Sequence, residues 1–211
     1  MGAYERHLYC LSDKAPLLIM KSTQVDSETI QAPAASPAYR TALAERSSYV
    51  ENVLTHRLIA ALAGELWRRD PTTPLDIFKA EVDDAGFDLV LGCGGLLRYI
   101  QIKQMHAEGS RQKFSVRLDF TKQAGSCVLL IVHNEATLEL KHFMFFGNEP
   151  NMPMPDVDGA KASVAPGRRD KSGGKKVRPH YRDIPRNKFQ GPLSTSQLLD
   201  ALFPGWPSEH D

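Results

Sequence analysis

Cysteine is scarce in this chain: Cys10, Cys93 and Cys127 are the only three in 211 residues, 83 and 34 positions apart. An odd number with no close pair argues against both a disulfide framework and a zinc knuckle. Long apolar runs are missing as well. The longest, residues 127–132, has the length of a strand, against the ~20 apolar residues a membrane helix needs. Neither sign of charge dominates: 26 Lys and Arg against 25 Asp and Glu leave +1, so bulk charge points to neither a nucleic acid nor a membrane. The opening Met-Gly-Ala-Tyr-Glu-Arg has no apolar core of a secretion signal, and Arg6 stands where a myristoylation signal needs Ser or Thr. The expectation is a reduced, cytoplasmic protein. With 42% apolar and 24% charged residues, the composition is globular, and the length supports one sizeable core.

Residues 1–46 read as an N-terminal extension, with short apolar stretches at 8–11 and 17–20 that suit edge strands and a linker-like run at 31–37. The strongest helix signal spans 48–69. Ser48-x-x-Glu51 fits a capping box, Pro71 and Pro74 end the pattern, and Leu54, Leu58 and Leu62 share one side with Val50 and Leu66 at its edges. Glu51 and Glu65 fall on that same apolar stripe, where acids are unusual. Strands are expected at 75–79, 87–91, 97–103, 114–118, 127–133 and 141–146. A helix followed by a meander of strands implies an α/β protein, the long helix packed on a mixed sheet. Residues 148–211 read as an irregular basic segment closed by a helix at 195–203, with Ser194 and Gln197 as a second capping box.

The chemistry concentrates at a hairpin. Gly92-Cys93-Gly94-Gly95 joins two strand candidates. A symmetric four-residue turn there sets Asp88 opposite Tyr99, with Gln101 diagonal to it and Lys103 on the same side. Phe87, Leu89, Leu91, Leu96, Ile100 and Ile102 then take the other, apolar side. A carboxylate and an amide oxygen are hard ligands of the kind Mg²⁺ prefers, and an adjacent lysine stabilises charge at a phosphate.

The run Asp83-Asp84-Ala85-Gly86-Phe87-Asp88-Leu89-Val90-Leu91, followed by Tyr99-Ile100-Gln101-Ile102-Lys103, resembles the PD-(D/E)XK nuclease superfamily in its Gln-x-Lys variant. The resemblance covers about residues 48–146, under half the chain. It implies a restriction-endonuclease-like αβββαβ core within 47–147 and metal-dependent cleavage of double-stranded DNA with Mg²⁺ or Mn²⁺, often by a homodimer. It assigns Asp88, Gln101 and the backbone carbonyl of Ile102 as metal ligands, Glu51 as the helix acid, and Lys103 as the catalytic lysine.

Each assignment has a plainer competitor. Glu51 also suits capping, and Glu65, the fallback for the helix acid, lies close to Arg68 and Arg69 and suits an ion pair. Because Gln101 contributes no charge, the alternative is an inactive member of the same fold that binds nucleic acid or protein. His56 falls about 140° from Glu51 around the helix, away from the apolar stripe. His106 reads as a loop residue near the substrate phosphate, and His133 carries no signal. Residues 161–188 hold ten Lys and Arg against Asp170 and Asp183. Within them Arg168, Arg169, Lys171, Lys175, Lys176 and Arg178 are candidate phosphate contacts on a mobile loop. No aromatic is interleaved among these charges, so no stacking platform is expected there.

Overall fold

The structure, a computed structural model, describes residues 36–79, 86–165 and 174–205. The edge strands expected at 8–11 and 17–20 lie outside the described residues. Helix α1 (Pro37–Glu45) begins on a proline, whose missing N–H is harmless in a first turn. It runs almost directly into α2 (Ser47–Arg69). That junction overturns the expected capping box: the N-cap is Arg46, no side chain caps the helix, and Ser48 lies inside it. The N–H of Val50 is satisfied instead by the Arg46 carbonyl at 3.0 Å. The apolar stripe itself is present, with Val50, Leu54, Leu58, Leu62 and Leu66 all buried.

The strands are β1 (Asp76–Phe78), β2 (Leu89–Cys93), β3 (Leu96–His106), β4 (Lys113–Arg117), β5 (Ser126–His133), β6 (Leu140–Gly147), β7 (Ala162–Val164), β8 (Val177–Pro185) and β9 (Gln190–Leu193). Two short α-helices, α3 (Leu118–Thr121) after β4 and α4 (Thr195–Leu202) after β9, and a 3-10 turn at Arg186–Lys188 complete the described elements. A six-stranded mixed sheet runs β1-β2-β3-β5-β6-β9, and a separate three-stranded sheet runs β4-β8-β7. Only β3 and β5 pair in parallel; the other neighbours in the large sheet are antiparallel. The protein is thus mixed α/β, and the long helix packs on the mixed sheet as expected.

Alternation along β3 and β5 divides the core. Ile100, Ile102, Leu129 and Ile131 face the helices with Leu89, Leu91 and the leucines of α2 and α4. Val128, Leu130, Val132 and Met105 face the other way, onto Phe114 and Val116 of β4 and Ile184 of β8. The large sheet is therefore covered by helices on one face and by the small sheet on the other.

Two sequence expectations change here. The segment at 114–118 leaves the meander and joins the second sheet. The segment read as irregular and basic contains β7, β8 and β9. Pro179 hid β8, because proline is poorly tolerated inside a ladder. The structure accommodates it at a register shift: Ala162 pairs with Arg182 while Ser163 pairs with Arg178, so Pro179 falls in the intervening bulge. Helix α4 forms as read, Ser194 Oγ accepting the Gln197 N–H at 3.2 Å and Gln197 Oε1 accepting the Ser194 N–H at 2.9 Å.

Candidate active site

The hairpin between β2 and β3 is tighter than its four-residue composition implies. Cys93 pairs with Leu96, leaving Gly94-Gly95 as a two-residue turn with φ of 56° and 82°. Positive φ at both central positions is the type I′ requirement that glycine meets without strain. The register therefore moves by two: Val90, not Asp88, pairs with Tyr99. A shift of two keeps every side chain of the ladder on its expected face.

At Asp88 the ladder changes. Leu89 pairs with Ile100, and the Asp88 N–H also donates to the Ile100 carbonyl at 2.9 Å. The ladder ends at Leu89, so Asp88 lies just outside β2, where the alternation of a regular strand no longer holds. The consequence appears one residue earlier. Phe87, expected on the helix side, packs on the opposite face against Tyr99, ring centroids 5.4 Å apart. Strand β3 continues beyond its last pairing with β2, and the exposed N–H of Ile102 donates to Asp88 Oδ2 at 2.6 Å. The N–H and C=O of one strand residue point to the same edge, so the Ile102 carbonyl lies on the Asp88 side too.

Despite the altered register, Asp88, Gln101 and Lys103 line one cleft, of about 570 Å³, between the two sheets. Gln101 is buried, and its Oε1 has no hydrogen-bond partner. Asp88 and Lys103 are half-buried. A second cavity of about 180 Å³ shares Asp88, Lys103 and Arg111 with the cleft and adds Glu51, Leu54, Ile102 and Gln104. Glu51, released from capping, thus borders the same carboxylate from the helix side. Among the described residues, no group of three or more His, Cys, Asp and Glu is gathered to hold a metal. Oxygen donors that line these cavities with Asp88 include Glu51 and the Gln101 and Gln104 amides, with the Ile102 carbonyl on the Asp88 side.

The far wall of the cleft was not legible as part of a site. Arg111, Lys113, Phe114 and Ser115 come from β4 and its approach, and Tyr181 and Asp183 from β8. Lys113 Nζ donates to Asp183 Oδ2 at 2.5 Å, and Ser163 Oγ donates to Asp183 Oδ1. Burial would raise the Asp183 pKa, but these two donors prevail and hold it below the ordinary carboxylate value. Asp183 and Lys113 are 70 residues apart in sequence, so spacing could not have joined them. From the basic run, Lys175 and Arg178 do line the cleft. Lys176 is exposed and absent from its lining, and Arg168, Arg169 and Lys171 lie outside the described residues. Folding brings an aromatic to the basic segment: Tyr181 lies under Arg178, whose guanidinium carbon is 3.4 Å from the ring centroid.

Glu65 takes the ion-pair role, in a buried setting. It pairs with Arg68 and, at 3.0 Å, with Arg69 Nε, whose own guanidinium reaches Asp200 at 2.5 Å and the Ser196 carbonyl at 3.0 Å on α4. Burial works to raise its pKa, yet the hydrogen bonds from Arg69, Arg68 and Ser196 bring it below the usual value. His56 is exposed on α2. His106 ends β3 rather than lying in a loop, its Nδ1 3.4 Å from the buried Glu135. His133 is buried beside it; desolvation lowers its pKa against the opposing Asn134 carbonyl. Cys93 and Cys127 are both buried, and burial pushes the Cys127 thiol up to about 11.

No protein-family model, curated protein or solved structure matches the chain.

Proposed function

We propose that this chain is a restriction-endonuclease-like, metal-dependent phosphodiesterase acting on DNA. One observation carries the reading: Asp88, Gln101 and Lys103 line a single cleft, and the cavity bordered by Glu51 opens onto the same Asp88. The order of elements adds support. Helix α2, strands β1, β2 and β3, short helix α3 and parallel strand β5 follow an αβββαβ sequence, with β4 inserted before a helix of only four residues.

The donor set suits a hard divalent cation. A buried amide oxygen without a partner is costly until a hydrogen-bond donor or a cation meets it, and a hard cation is one group that suits it. Gln101 Oε1, the Asp88 carboxylate, the Ile102 carbonyl and Glu51 would hold Mg²⁺ or Mn²⁺. Such an ion would neutralise phosphate charge and acidify nearby water. Lys103 would orient that water or stabilise the negative charge that builds on the phosphate, and Lys175 and Arg111 would grip the neighbouring backbone.

The test is nicking of supercoiled plasmid with Mg²⁺ or Mn²⁺. Wild type is expected to convert it, with Lys103→Ala slower by roughly a hundredfold or more. Equal rates in the two proteins, or no conversion on plasmid, linear and single-stranded DNA, would sink the nuclease reading. A second reading has its own support. The amide at position 101 carries no charge, and one Asp88 oxygen already accepts a backbone N–H. An inactive fold that binds nucleic acid predicts affinity for DNA that is indifferent to divalent metal.

A further inference from the structure

The wall opposite Lys103 has an uncommon construction. Arg178 and Tyr181 of β8 line the cleft together with Asp88 and Gln101, and both are half-buried. At 3.4 Å from the ring centroid, the guanidinium rests against the face of the phenol, within the range of a strong cation–π contact. The contact fixes a long, flexible side chain in one orientation. The pair becomes a planar, positively charged plate on an otherwise polar wall.

Such plates are what unstacked bases lie on. Aromatic rings and arginine planes in basic grooves bind single strands, because every unpaired base has a free π face. In a duplex those faces are covered by neighbouring bases. Size points the same way. About 570 Å³ matches a pocket for a molecule of drug-like dimensions (roughly 300–1,000 Å³) and not the broad flank of a double helix. Strands of both sheets bound the cleft, so a phosphate reaching Lys103 must belong to a strand that can be splayed into it.

We infer that the cleft takes DNA as an unpaired strand, a single strand or a frayed end, with one base stacked on the Arg178–Tyr181 plate. The inference rests on the reading of the cleft as a DNA site, and departs from the double-stranded substrate implied by the resemblance.

Fluorescence anisotropy without divalent metal, in EDTA at low salt, tests it with a mixed-sequence 12-nucleotide strand and the blunt duplex of the same length. The single strand is expected to bind at least tenfold tighter. Tyr181→Ala should cost about tenfold on the single strand, the scale of one lost base stack, and less than twofold on the duplex. Tyr181→Phe should retain the affinity. Arg178→Lys keeps the charge but removes the plane, so it should lose single-strand affinity selectively and covers the case in which Tyr181→Ala fails to fold. Equal or tighter duplex binding, equal losses on both ligands, or no binding of either would overturn the inference. Metal-dependent cleavage that prefers duplex would overturn it and leave the nuclease reading standing. Plate-dependent single-strand binding without cleavage would do the reverse.

Discussion

Asp88 and Gln101 show how the end of a ladder decides what a short motif can do. The last pair of β2 with β3 is Leu89 with Ile100, so Asp88 lies just outside the strand and its carboxylate accepts the Ile102 N–H. Gln101, buried with an unpartnered oxygen, is the member of the cleft whose chemistry a single substitution changes most directly. Gln101→Glu adds a charge to a site that the metal reading leaves underchanged. The expected result is a fall of about tenfold in the Mn²⁺ concentration for half-maximal response, equivalent to about 1.4 kcal/mol. Calorimetry or the metal dependence of plasmid nicking would measure it. A glutamate that leaves metal response unaltered would count against ligation at 101. At this scale the sequence was readable where alternation held, at Ile100, Gln101, Ile102 and Lys103. It misled where the strand had already ended, at Phe87; the glycine before it, Gly86, takes a φ of 80°.

At the scale of elements, the two capping boxes separate because of what precedes them. Ser194 follows an extended strand and is free to fold back on α4, whereas Ser48 is already inside a helix that α1 feeds. Ser194→Ala should cost about 1 kcal/mol of stability and Ser48→Ala nearly nothing, as urea unfolding would show. The joint between α2 and α4 carries more. Arg69 is buried and touches Glu65, Asp200 and Ser196 at once. Arg69→Met should destabilise by about 2–4 kcal/mol, because it leaves the buried Glu65 with the exposed Arg68 as its cation and Ser196 as a neutral donor. The same joint sets a pH dependence. The folded pKa of Glu65 is below its unfolded value, so its stabilisation is complete above the ordinary carboxylate range (about 4.3) and is lost as pH falls through the folded value. The advantage of wild type over Glu65→Gln should be full at pH 7 and shrink below about pH 4 in parallel urea titrations. An advantage that grows on acidification would contradict the pairing.

For the whole molecule, a net charge of +1 conceals a separation that only the second sheet creates. The helix, the meander and the parallel crossover were legible because each carries its own period and its own turn residues. The β4-β8-β7 sheet was not, since it pairs segments about 70 residues apart through a strand holding two prolines and three arginine or histidine residues. That sheet brings Arg111, Lys175 and Arg178 over the polar face of β3 and makes a basic cleft in a nearly neutral protein. Lys113 is set aside from this group because Asp183 holds it. Three phosphate contacts on a single strand release counterions at about 0.7 each, giving a log–log salt slope of about −2. Arg111→Ala combined with Lys175→Ala should reduce that slope to about −0.7 and weaken binding at low salt, while Lys176→Ala, outside the cleft, should leave it unchanged. Anisotropy titrations across a salt series would read all three. If Lys176→Ala changed the slope as much as the cleft pair, the phosphates would be tracking the general basic surface and not the groove between the sheets.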